Sequence, residues 1–538
     1  MLPRSHDAAF TAAISFDNLT RRPCTDGTRV DIIAQIMAWI NEKDTTQAPP
    51  IYWLTGLAGL GKTTIAYTIC KLLEDASLPF LSFFCSLQLD SKNPKLLVTT
   101  LCRDLAELYN SYATNLLSTV ETNSKAVDAV LRLQMDELLA KPWKASIAHR
   151  KDDDIPTPII VVDALDENER GIEFLEELLR VIRAGQLAGM KFLVTSRPDP
   201  KIVKICKSFP PNAICKLHEV DTANVRKDIE KYLREALPEL KDEPELALLS
   251  ERAGGFFIYA TTAVRFISPP DCNPAVFEMR SQLRAMLDAE TFIFHADGDE
   301  RLLVDELYEK ILVGAFRNER FRAARLPILH TIVCAQSKIN ISVLAALTDT
   351  HPEIVERVVE SLHAVLFVSP KDDCVYWYHS SFPDFIFSQT RARVTIDAFC
   401  DAASHHVYLA RRCFSIMQQL HFNMCYLPSS FVFDAEVPGL SETINEILSL
   451  SLQYASRHWA RHLVRAEPAK SEADDLPFHL KQFLCDKLLF WIETMNLIGA
   501  KFDMASLLRD AERWLKRVRI TTNTSNQHVD ALSGQRIT

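Results

Sequence analysis

The sequence predicts an α/β fold, a parallel β-sheet covered by helices, followed by a long helical region. Between residue 51 and about residue 220, short apolar runs alternate with amphipathic helical patterns, which is typical of a parallel sheet with helical crossovers. Beyond residue 221 the strand signals fade and helical patterns dominate. A chain of 538 residues with 48% hydrophobic content is long enough for about three or four folded domains.

Five apolar runs are the predicted strands, and one amphipathic helix precedes them. The helix is VDIIAQIMAWINE, whose apolar side chains share one face at helical spacing. The predicted strands read IYWLT, LSFFCSL, PIIVVDAL, MKFLVTS and ICKLHEV. The segment ASIAHRKDDDIPTP, residues 145–158, is charged and interrupted by prolines, so we expect a surface loop there.

The C-terminal half begins with two helical patterns, TANVRKDIEKYLREAL and PELALLSERAGGFFIYATTAVRFI. Residues 303–390 combine short helices with LHAVLFVSPKDDCVYWYHSSF, two apolar runs joined by an acidic turn, which predicts a small helical domain with a β-hairpin. The pattern is helical again to about residue 518, and we expect the polar tail from residue 521 to be disordered.

The composition argues against several classes of protein. A net charge of -10 disfavours a chain that coats nucleic acid or anionic membrane, so we expect proteins and small molecules as partners. The thirteen cysteines are scattered singly, without zinc-ligand spacing, which indicates reduced thiols inside a cell. The N-terminus lacks an apolar signal core, and no apolar stretch is long enough to cross a membrane. We therefore predict a soluble, cytoplasmic protein.

The stretch GLAGLGKT, residues 56–63, matches the phosphate-binding loop pattern G-x-x-x-x-G-K-[ST] between a predicted strand and a predicted helix. Glycine allows the backbone N–H groups to surround an anion closely, and the helix N-terminus adds its positive dipole end. We expect Lys62 to reach the β- and γ-phosphates of a nucleotide, Thr63 to bind Mg²⁺ and Thr64 to contact the α-phosphate. The alternative is an ordinary glycine-rich turn. The predicted nucleotide-binding residues of this loop are Gly56, Leu57, Ala58, Gly59, Leu60, Gly61, Lys62, Thr63 and Thr64.

An acidic cluster follows the third predicted strand, in PIIVVDALDE. Asp163 ends this strand, at the edge of the sheet where α/β proteins place their ligands, and we expect it to hold Mg²⁺ together with Thr63. We choose Glu167 as the residue that polarises the attacking water, with Asp166 as its rival. The alternative is that these carboxylates only cap the helix that starts near Gly171.

The fourth predicted strand ends in Thr195, Ser196 and Arg197 at the same edge. A guanidinium group there can read or neutralise a γ-phosphate, a catalytic role when hydrolysis occurs. The alternative is a solvated arginine before a proline turn. With the loop and the acidic cluster, these residues predict an α/β P-loop NTPase that binds ATP or ADP with Mg²⁺.

The sequence resembles the NACHT and NB-ARC branch of the STAND nucleotide-binding proteins, and fungal NACHT proteins above all, over about residues 20–390. The pieces that carry the resemblance are CTDGTRVDIIAQIMAWI, GLAGLGKTT, FFCS, VVDALDE, FLVTSRPD, AGGFFIYATTAVRF and LHAVLFV followed by YWYHSSFPDF. The resemblance implies a sheet of the ASCE type, with the strand of Arg197 between those of the phosphate loop and Asp163. It implies α-helical lid, winged-helix and C-terminal helical domains after that sheet.

The predicted domains combine this resemblance with the patterning. They are an N-terminal segment and helix (1–46), a P-loop NACHT nucleotide-binding domain (47–220), a helical lid domain (221–300), a winged-helix domain (301–395), a C-terminal helical domain (396–520) and a disordered tail (521–538).

Further site residues are implied by the resemblance alone. His379 aligns with a winged-helix histidine that touches the bound diphosphate in the NB-ARC branch, but Ser380 replaces the aspartate that follows it there. The alternative for His379 is an interior histidine. Thr28, Arg29 and Val30 resemble the segment that packs by the adenine. The segment AGGFFIYA has no proline where NB-ARC relatives place one against the base. The alternative for Gly254 and Gly255 is therefore that they only break a helix.

The resemblance implies a signalling switch in fungal innate immunity, incompatibility or cell death, which hydrolyses ATP slowly and self-associates in the ATP state. Its protein partners are not readable from the sequence. Three rivals stay open: a constitutive AAA+ ATPase, a small-molecule kinase, and a scaffold that keeps nucleotide as a structural ligand. The long helical extension disfavours the kinase, which is usually a compact single domain.

Overall fold

The computed structural model describes residues 2–11, 21–42, 49–88, 94–148, 158–270, 272–287, 301–316, 322–370, 372–392, 398–429, 431–466 and 475–533. The chain divides into two compact units. Unit 1 consists of Met1–Leu307 together with His363–Val365 and Trp377–Ser381, and unit 2 of the remaining residues to the C-terminus. The short segment Trp377–Ser381 therefore belongs to the first unit although it is distant in sequence.

A five-stranded parallel sheet forms the centre of unit 1, in the order β2-β3-β4-β1-β5. Its strands are β1 (Ile51–Thr55), β2 (Phe80–Phe84), β3 (Ile159–Asp163), β4 (Lys191–Ser196) and β5 (Ile214–Lys216). All residues of β1, β3 and β4 are buried, as expected for parallel strands covered on both faces. The carboxyl ends of β1, β3 and β4 therefore lie side by side at one edge.

Helices surround this sheet and continue beyond it in unit 1. They are α1 (Val30–Asn41), α2 (Lys62–Asp75), α3 (Pro94–Leu108), α4 (Asn110–Thr122), α5 (Leu131–Gln134), α6 (Lys141–Ala148), α7 (Gly171–Arg183), α8 (Pro200–Cys206), α9 (Thr222–Ala236), α10 (Glu245–Arg252), α11 (Phe257–Ile267) and α12 (Val276–Leu287). A π-helical turn, Met135–Ala140, connects α5 with α6.

Among its described residues, unit 2 is helical apart from one hairpin of β6 (Leu366–Val368) and β7 (Val375–Trp377, whose last residue belongs to unit 1). Its core includes the helix Ala402–Met417 packed on the helix Leu450–Arg465, with Trp459 and Phe414 buried in contact. The helices are α13 (Arg301–Phe316, which begins in unit 1), α14 (Arg322–Cys334), α15 (Ile341–Thr348), α16 (Pro352–Ser361), α17 (Ser381–Ile386), α18 (Ala402–Met417), α19 (Leu440–Ile447), α20 (Leu450–Arg465), α21 (Leu476–Asp486), α22 (Leu488–Leu497) and α23 (Met504–Ser533).

The predicted fold class is confirmed, and so is the position of β4 between β1 and β3. The five predicted strands, the helix before them and the hairpin are all present. The boundaries of the six predicted domains stay a prediction. Among the described residues no helix is both long and apolar enough to cross a bilayer.

Two predicted segments differ from the structure. Residues 145–148, expected to be part of a surface loop, are the end of α6, and residues 149–157 of the expected loop lie outside the described part. The polar tail expected from residue 521 is helical up to Ser533, as the end of α23. Its polar composition suggested disorder, but it contains neither proline nor glycine before Gly534, so the backbone is free to continue its helical hydrogen bonds.

Candidate nucleotide-binding site

The glycine-rich loop connects the buried end of β1 with the first turn of α2. Gly59 and Gly61 adopt φ of +83° and +91°, a left-handed conformation that glycine adopts without steric cost. The carbonyl of Gly61 accepts the first helical hydrogen bond, from the N–H of Ile65. The amides of Lys62, Thr63 and Thr64, which precede Ile65, consequently have no carbonyl partner inside the helix, and they are the donors that a phosphate group needs.

The side chain of Lys62 is buried inside this loop. Its ammonium group donates to the carbonyls of Gly56 at 2.8 Å and Leu57 at 2.9 Å. Burial lowers the pKa of Lys62, while the charges of Asp166 and Asp163 act in the opposite direction. The loop thus holds a cation beside the amides of the helix start, as the sequence predicts for a phosphate cradle.

Asp163 lies fully buried at the end of β3, as predicted. Its Oδ1 accepts a hydrogen bond of 2.6 Å from the hydroxyl of Thr195, at the end of β4. Burial raises the pKa of Asp163, and the hydroxyls of Thr195 and Thr63 offset part of that effect. A carboxylate with a hydroxyl group beside it supplies oxygen donors suited to Mg²⁺, so the residues present fit the metal that the fold implies.

Asp166 and Arg197 form one charged pair at the same edge of the sheet. The backbone N–H of Arg197 donates to Oδ1 of Asp166 at 2.9 Å, and the guanidinium Nε lies 3.2 Å from Oδ2. Asp166 therefore positions Arg197 through both its backbone and its side chain. Both carboxylate oxygens of Asp166 are therefore engaged by Arg197.

Glu167 lies next to this pair but has different partners. Its Oε1 accepts a hydrogen bond of 2.7 Å from the hydroxyl of Ser380 and lies 3.8 Å from Nη2 of Arg197. Its Oε2 accepts from the N–H of Leu87 at 3.3 Å. Burial raises the pKa of Glu167 to about 7, and Asp166 adds to the increase. A carboxyl group with a pKa near neutrality is suited to accept a proton at physiological pH.

Arg29 is bonded to the glycine-rich loop. It has φ of +56°, its N–H donates to Asp228 at 3.0 Å, and Nη2 donates to the carbonyl of Leu60 at 3.0 Å. The Arg29 side chain is 5% exposed, and within the described structure its Nε and Nη1 have no hydrogen-bond partner. Such a buried guanidinium group calls for an acceptor.

The two residues beside Arg29 are oriented differently. Thr28 is buried and donates its hydroxyl to the carbonyl of Thr25 at 2.7 Å. Val30 begins α1 and is 57% exposed. Of the predicted adenine-side residues, Arg29 therefore has the strongest structural support, and the Val30 side chain has the weakest.

The helix α11 contacts the phosphate loop directly. Gly254 and Gly255, with φ of +56° and +95°, turn the chain between α10 and α11, so they do form a helix break. Ile258, in the first turn of α11, donates its N–H to the carbonyl of Gly59 at 3.1 Å. The break thus directs the start of the predicted lid helix onto the loop.

His379 lies near the positive charges of the site. Its Nδ1 accepts the N–H of Ser381 at 3.1 Å and lies 2.7 Å from the Ser381 hydroxyl, so the proton of the neutral ring is on Nε2. Burial lowers the pKa of His379 to about 3, assisted by Arg197, Lys62 and Arg265. It is therefore an uncharged donor, and its contact with a diphosphate stays a prediction.

Three contributors to the site were missed from the sequence. Gln88, after β2, hydrogen-bonds the backbone of Trp377. Asp228, on α9, accepts from Arg29. Ser380 joins Glu167 to Arg197, although the sequence showed it only as a substituted position. No local pattern identifies these residues, since each partner lies far away along the chain.

The fold and the loop place this chain in the class of α/β P-loop NTPase folds. The family model described as Nephrocystin 3, N-terminal matches residues 32–197, from α1 to Arg197. Comparison with curated proteins finds no match.

Comparison with solved structures finds several matches. A STAND protein with a tetratricopeptide repeat sensor from Pyrococcus horikoshii is 13% identical, with 94% of this chain and 66% of that chain covered and a TM-score of 0.39. The Aeropyrum pernix ORC1 protein in complex with DNA is 12% identical, with 68% and 92% covered and a TM-score of 0.30. The Thermotoga maritima RuvB branch migration motor is 12% identical, with 65% and 93% covered and a TM-score of 0.27. This chain spans about two thirds of the STAND protein's length.

Proposed function

We propose that this chain is a STAND-type signalling switch that binds ADP or ATP with Mg²⁺ and hydrolyses ATP slowly. The observation that carries the proposal is the chain of contacts from Asp166 through Arg197 to Ser380 and Glu167. Groups that would contact a γ-phosphate are hydrogen-bonded here to a residue from the C-terminal half of the sequence. Gain or loss of the γ-phosphate would therefore alter the hydrogen bonds of Ser380.

The residues have distinct roles in this proposal. The loop amides and Lys62 bind the phosphates, and Thr63 and Asp163 would hold Mg²⁺, which shields phosphate charge and orients the β- and γ-phosphates. Arg197 stabilises charge on the transferred phosphoryl group, and Asp166 keeps Arg197 in position. Glu167 accepts a proton from the attacking water.

Slow turnover follows from the contacts of Glu167. Its pKa of about 7 leaves part of the population protonated at neutral pH, and the Ser380 hydroxyl bonds to the same oxygen that lies near Arg197. A carboxyl group held in this way is a poor base until its partner moves. The bound nucleotide would then persist long enough to act as a signal.

The finer parts of the proposal rest on the sequence resemblance. They are a NACHT protein of fungal type, a role in innate immunity, incompatibility or cell death, and self-association in the ATP state. The size of the required effect is known in general terms: moving a population from 1:99 to 99:1 takes about 5.5 kcal/mol of differential affinity. We expect this difference in affinity to come from contacts of Arg197, Ser380 and His379.

The test is the identity and fate of the bound nucleotide. The purified full chain should carry ADP, exchange it slowly for ATP, and hydrolyse one equivalent of ATP in a single-turnover assay. Glu167→Gln should bind ATP as tightly as the wild type while hydrolysing it far more slowly, and Glu169→Gln, an exposed neighbour, serves as the matched control.

Two of the rivals, the constitutive ATPase and the scaffold, predict other results. Fast multiple turnover without slow exchange would indicate a constitutive ATPase. Nucleotide that neither exchanges nor reacts would indicate a structural ligand. Equal turnover of the wild type and Glu167→Gln would remove Glu167 as the catalytic carboxylate.

A further inference from the structure

A segment of unit 2 between α18 and α19 exposes large aromatic side chains. Phe422, Tyr426 and Phe433 are each 77% exposed. Phe431 is 96% exposed. Since one aromatic side chain has about 150–250 Å² of surface, these four together expose about 500–800 Å². An apolar patch of this size on a folded protein marks a site of interaction.

A closed turn displays the first two of these aromatic side chains. The N–H of Leu427 donates to Oδ1 of Asn423 at 2.7 Å, and Nδ2 of Asn423 donates to the carbonyl of Leu427 at 3.1 Å. Asn423 and Tyr426 have φ of +50° and +53°, a left-handed conformation that a bulky residue such as tyrosine rarely adopts. The turn therefore holds the Tyr426 ring at the surface in a fixed position.

The helix α22 binds the aromatic segment at two points, one helical turn apart. Oε2 of Glu493 accepts the N–H of Asn423 at 3.3 Å. Nδ2 of Asn496 donates to Oδ2 of Asp434 at 2.7 Å. Asn423 and Asp434 each come directly after an exposed phenylalanine, so both ends of the segment bring an aromatic side chain to α22.

Two exposed aliphatic side chains lie on the same face of α22. Leu489 and Ile492 are 75% and 37% exposed. With Glu493 and Asn496 they have the spacing i, i+3, i+4 and i+7, which is one face of a helix, whereas Trp491 on the opposite face is buried. The aromatic patch therefore comprises Phe422, Tyr426, Phe431, Phe433, Leu489 and Ile492.

The chain around the aromatic patch is rich in negative charge. Residues 418–447 and 488–497, which include the patch, contain five carboxylates and neither lysine nor arginine. Near the two ends of α22, Lys487 and Arg457 each donate to a backbone carbonyl of unit 2, so both cations are engaged within the unit. An apolar surface surrounded by carboxylates matches a partner whose apolar side chains are accompanied by lysine or arginine.

We propose that the aromatic patch binds an amphipathic helix of a partner protein, whose apolar face is flanked by lysine and arginine. Aromatic side chains in fixed positions contribute much of the affinity of protein interfaces, and a helix with an apolar face is a recurring ligand of apolar surfaces. The five carboxylates repel nucleic acid and anionic membranes. They also repel a second copy of this chain that docks through the same patch, because like charges would be brought together.

The probe is a fluorescent synthetic helix of about 18 residues, or five turns, with leucines on one face and lysines elsewhere. One control peptide has the same leucines with glutamates in place of the lysines. A second control has the composition of the probe in scrambled order, so that it has no apolar face. Measured by fluorescence anisotropy, the full chain should bind the leucine–lysine helix about 10-fold or more tightly than either control, because only the probe matches both the apolar surface and its charge.

Substitutions of exposed side chains test which residues bind the probe. The double variant Phe431→Ser, Phe433→Ser should bind it about 30-fold more weakly, because two aromatic anchors are lost. Phe277→Ser is the matched control, since Phe277 is 70% exposed on α12, and it should bind normally. Leu489→Ala should weaken binding by about 5-fold, which tests whether α22 belongs to the patch. Melting temperatures should be unchanged, because all four side chains are exposed.

A second double variant, Asp434→Asn, Glu436→Gln, tests the charge. Each new side chain keeps an oxygen that can accept the hydrogen bond made by the carboxylate, from Asn496 and from the N–H of Phe433. Binding of the leucine–lysine helix should weaken by about 3-fold at low salt. Its dependence on salt should decrease, since fewer charges attract the probe.

The outcomes decide between occupants of the patch. Weaker binding in the phenylalanine double variant, with normal binding in Phe277→Ser, supports the proposal. It is overturned if the wild type does not bind the leucine–lysine helix, or binds all three peptides equally. A dimer of the full chain in sedimentation velocity that Phe431→Ser, Phe433→Ser dissociates would also overturn it, because a second copy would then be the occupant. None of these results depends on nucleotide binding in unit 1.

Discussion

Alanine at position 59 should destabilise unit 1 more than alanine at position 189. Both glycines have left-handed backbone, with φ of +83° and +80°. A Cβ atom at Gly59 would lie 2.1 Å from Cγ2 and 2.8 Å from Cβ of Ile258, whereas a Cβ atom at Gly189 would meet nothing within 4 Å. The pair therefore separates backbone strain from the packing of α11 against the loop.

The magnitudes follow from these two contributions. A non-glycine residue in left-handed backbone costs about 1–2 kcal/mol, which is the whole effect expected for Gly189→Ala. Forcing an extra carbon into a packed contact adds about 1–3 kcal/mol, since Ile258 is held there by its N–H bond to the Gly59 carbonyl. Gly59→Ala should therefore cost about 2–5 kcal/mol in all.

Hydrogen exchange of the amides in β1 and β4, measured on protein freed of nucleotide, gives the free energy of opening of unit 1 alone. Gly59→Ala should lower it by clearly more than Gly189→Ala. Equal losses in the two variants would refute the reasoning, because they would show that α11 does not pack against the loop at this position.

Three further predictions concern other parts of the protein. His406 is buried beside His462, with 2.9 Å between the two Nδ1 atoms, and burial, aided by Arg465, lowers the pKa of His406 to about 4. Because the pKa of an unfolded histidine is about 6.5, the stability of unit 2 in urea unfolding should decrease as the pH falls from about 6.5 to 4. The decrease should be smaller in His406→Gln. Hydrolysis should rise with pH through about 7 as Glu167 ionises, and a flat pH–rate profile would contradict its role as base. Arg29→Met should weaken ATP and ADP binding equally, by about 10-fold, and an unchanged affinity by calorimetry would exclude Arg29 from the site.

The sheet and the phosphate loop were predictable because their signals are local. Each buried strand is a continuous apolar run, and parallel topology places the ends of β1, β3 and β4 at one edge. The loop, Asp163 and Arg197 each follow directly from such a run. Once the order of the strands is given, their proximity needs no further information.

The contacts of Glu167 and Arg29 were not predictable in the same way. The hydroxyl of Ser380 bonds to Glu167. The N–H of Arg29 bonds to Asp228, which is 199 positions away in the sequence. Neither serine nor aspartate carries a local signal of such a role, since both residues are common at surfaces and turns. The different partners of Asp166 and Glu167 likewise depend on the fold, which places Arg197 beside Asp166 and Ser380 beside Glu167.

The most direct test of the account is nucleotide binding by the loop. Calorimetry of nucleotide-free protein should show heat of binding for both Mg-ADP and Mg-ATP, and both should raise the melting temperature. Lys62→Ala should weaken this binding by about 100-fold or more, since it removes a buried cation from the phosphates, while Lys71→Ala, on the exposed face of the same helix, should bind normally. No heat and no thermal shift from either nucleotide, or binding that is unchanged in Lys62→Ala, would contradict the account.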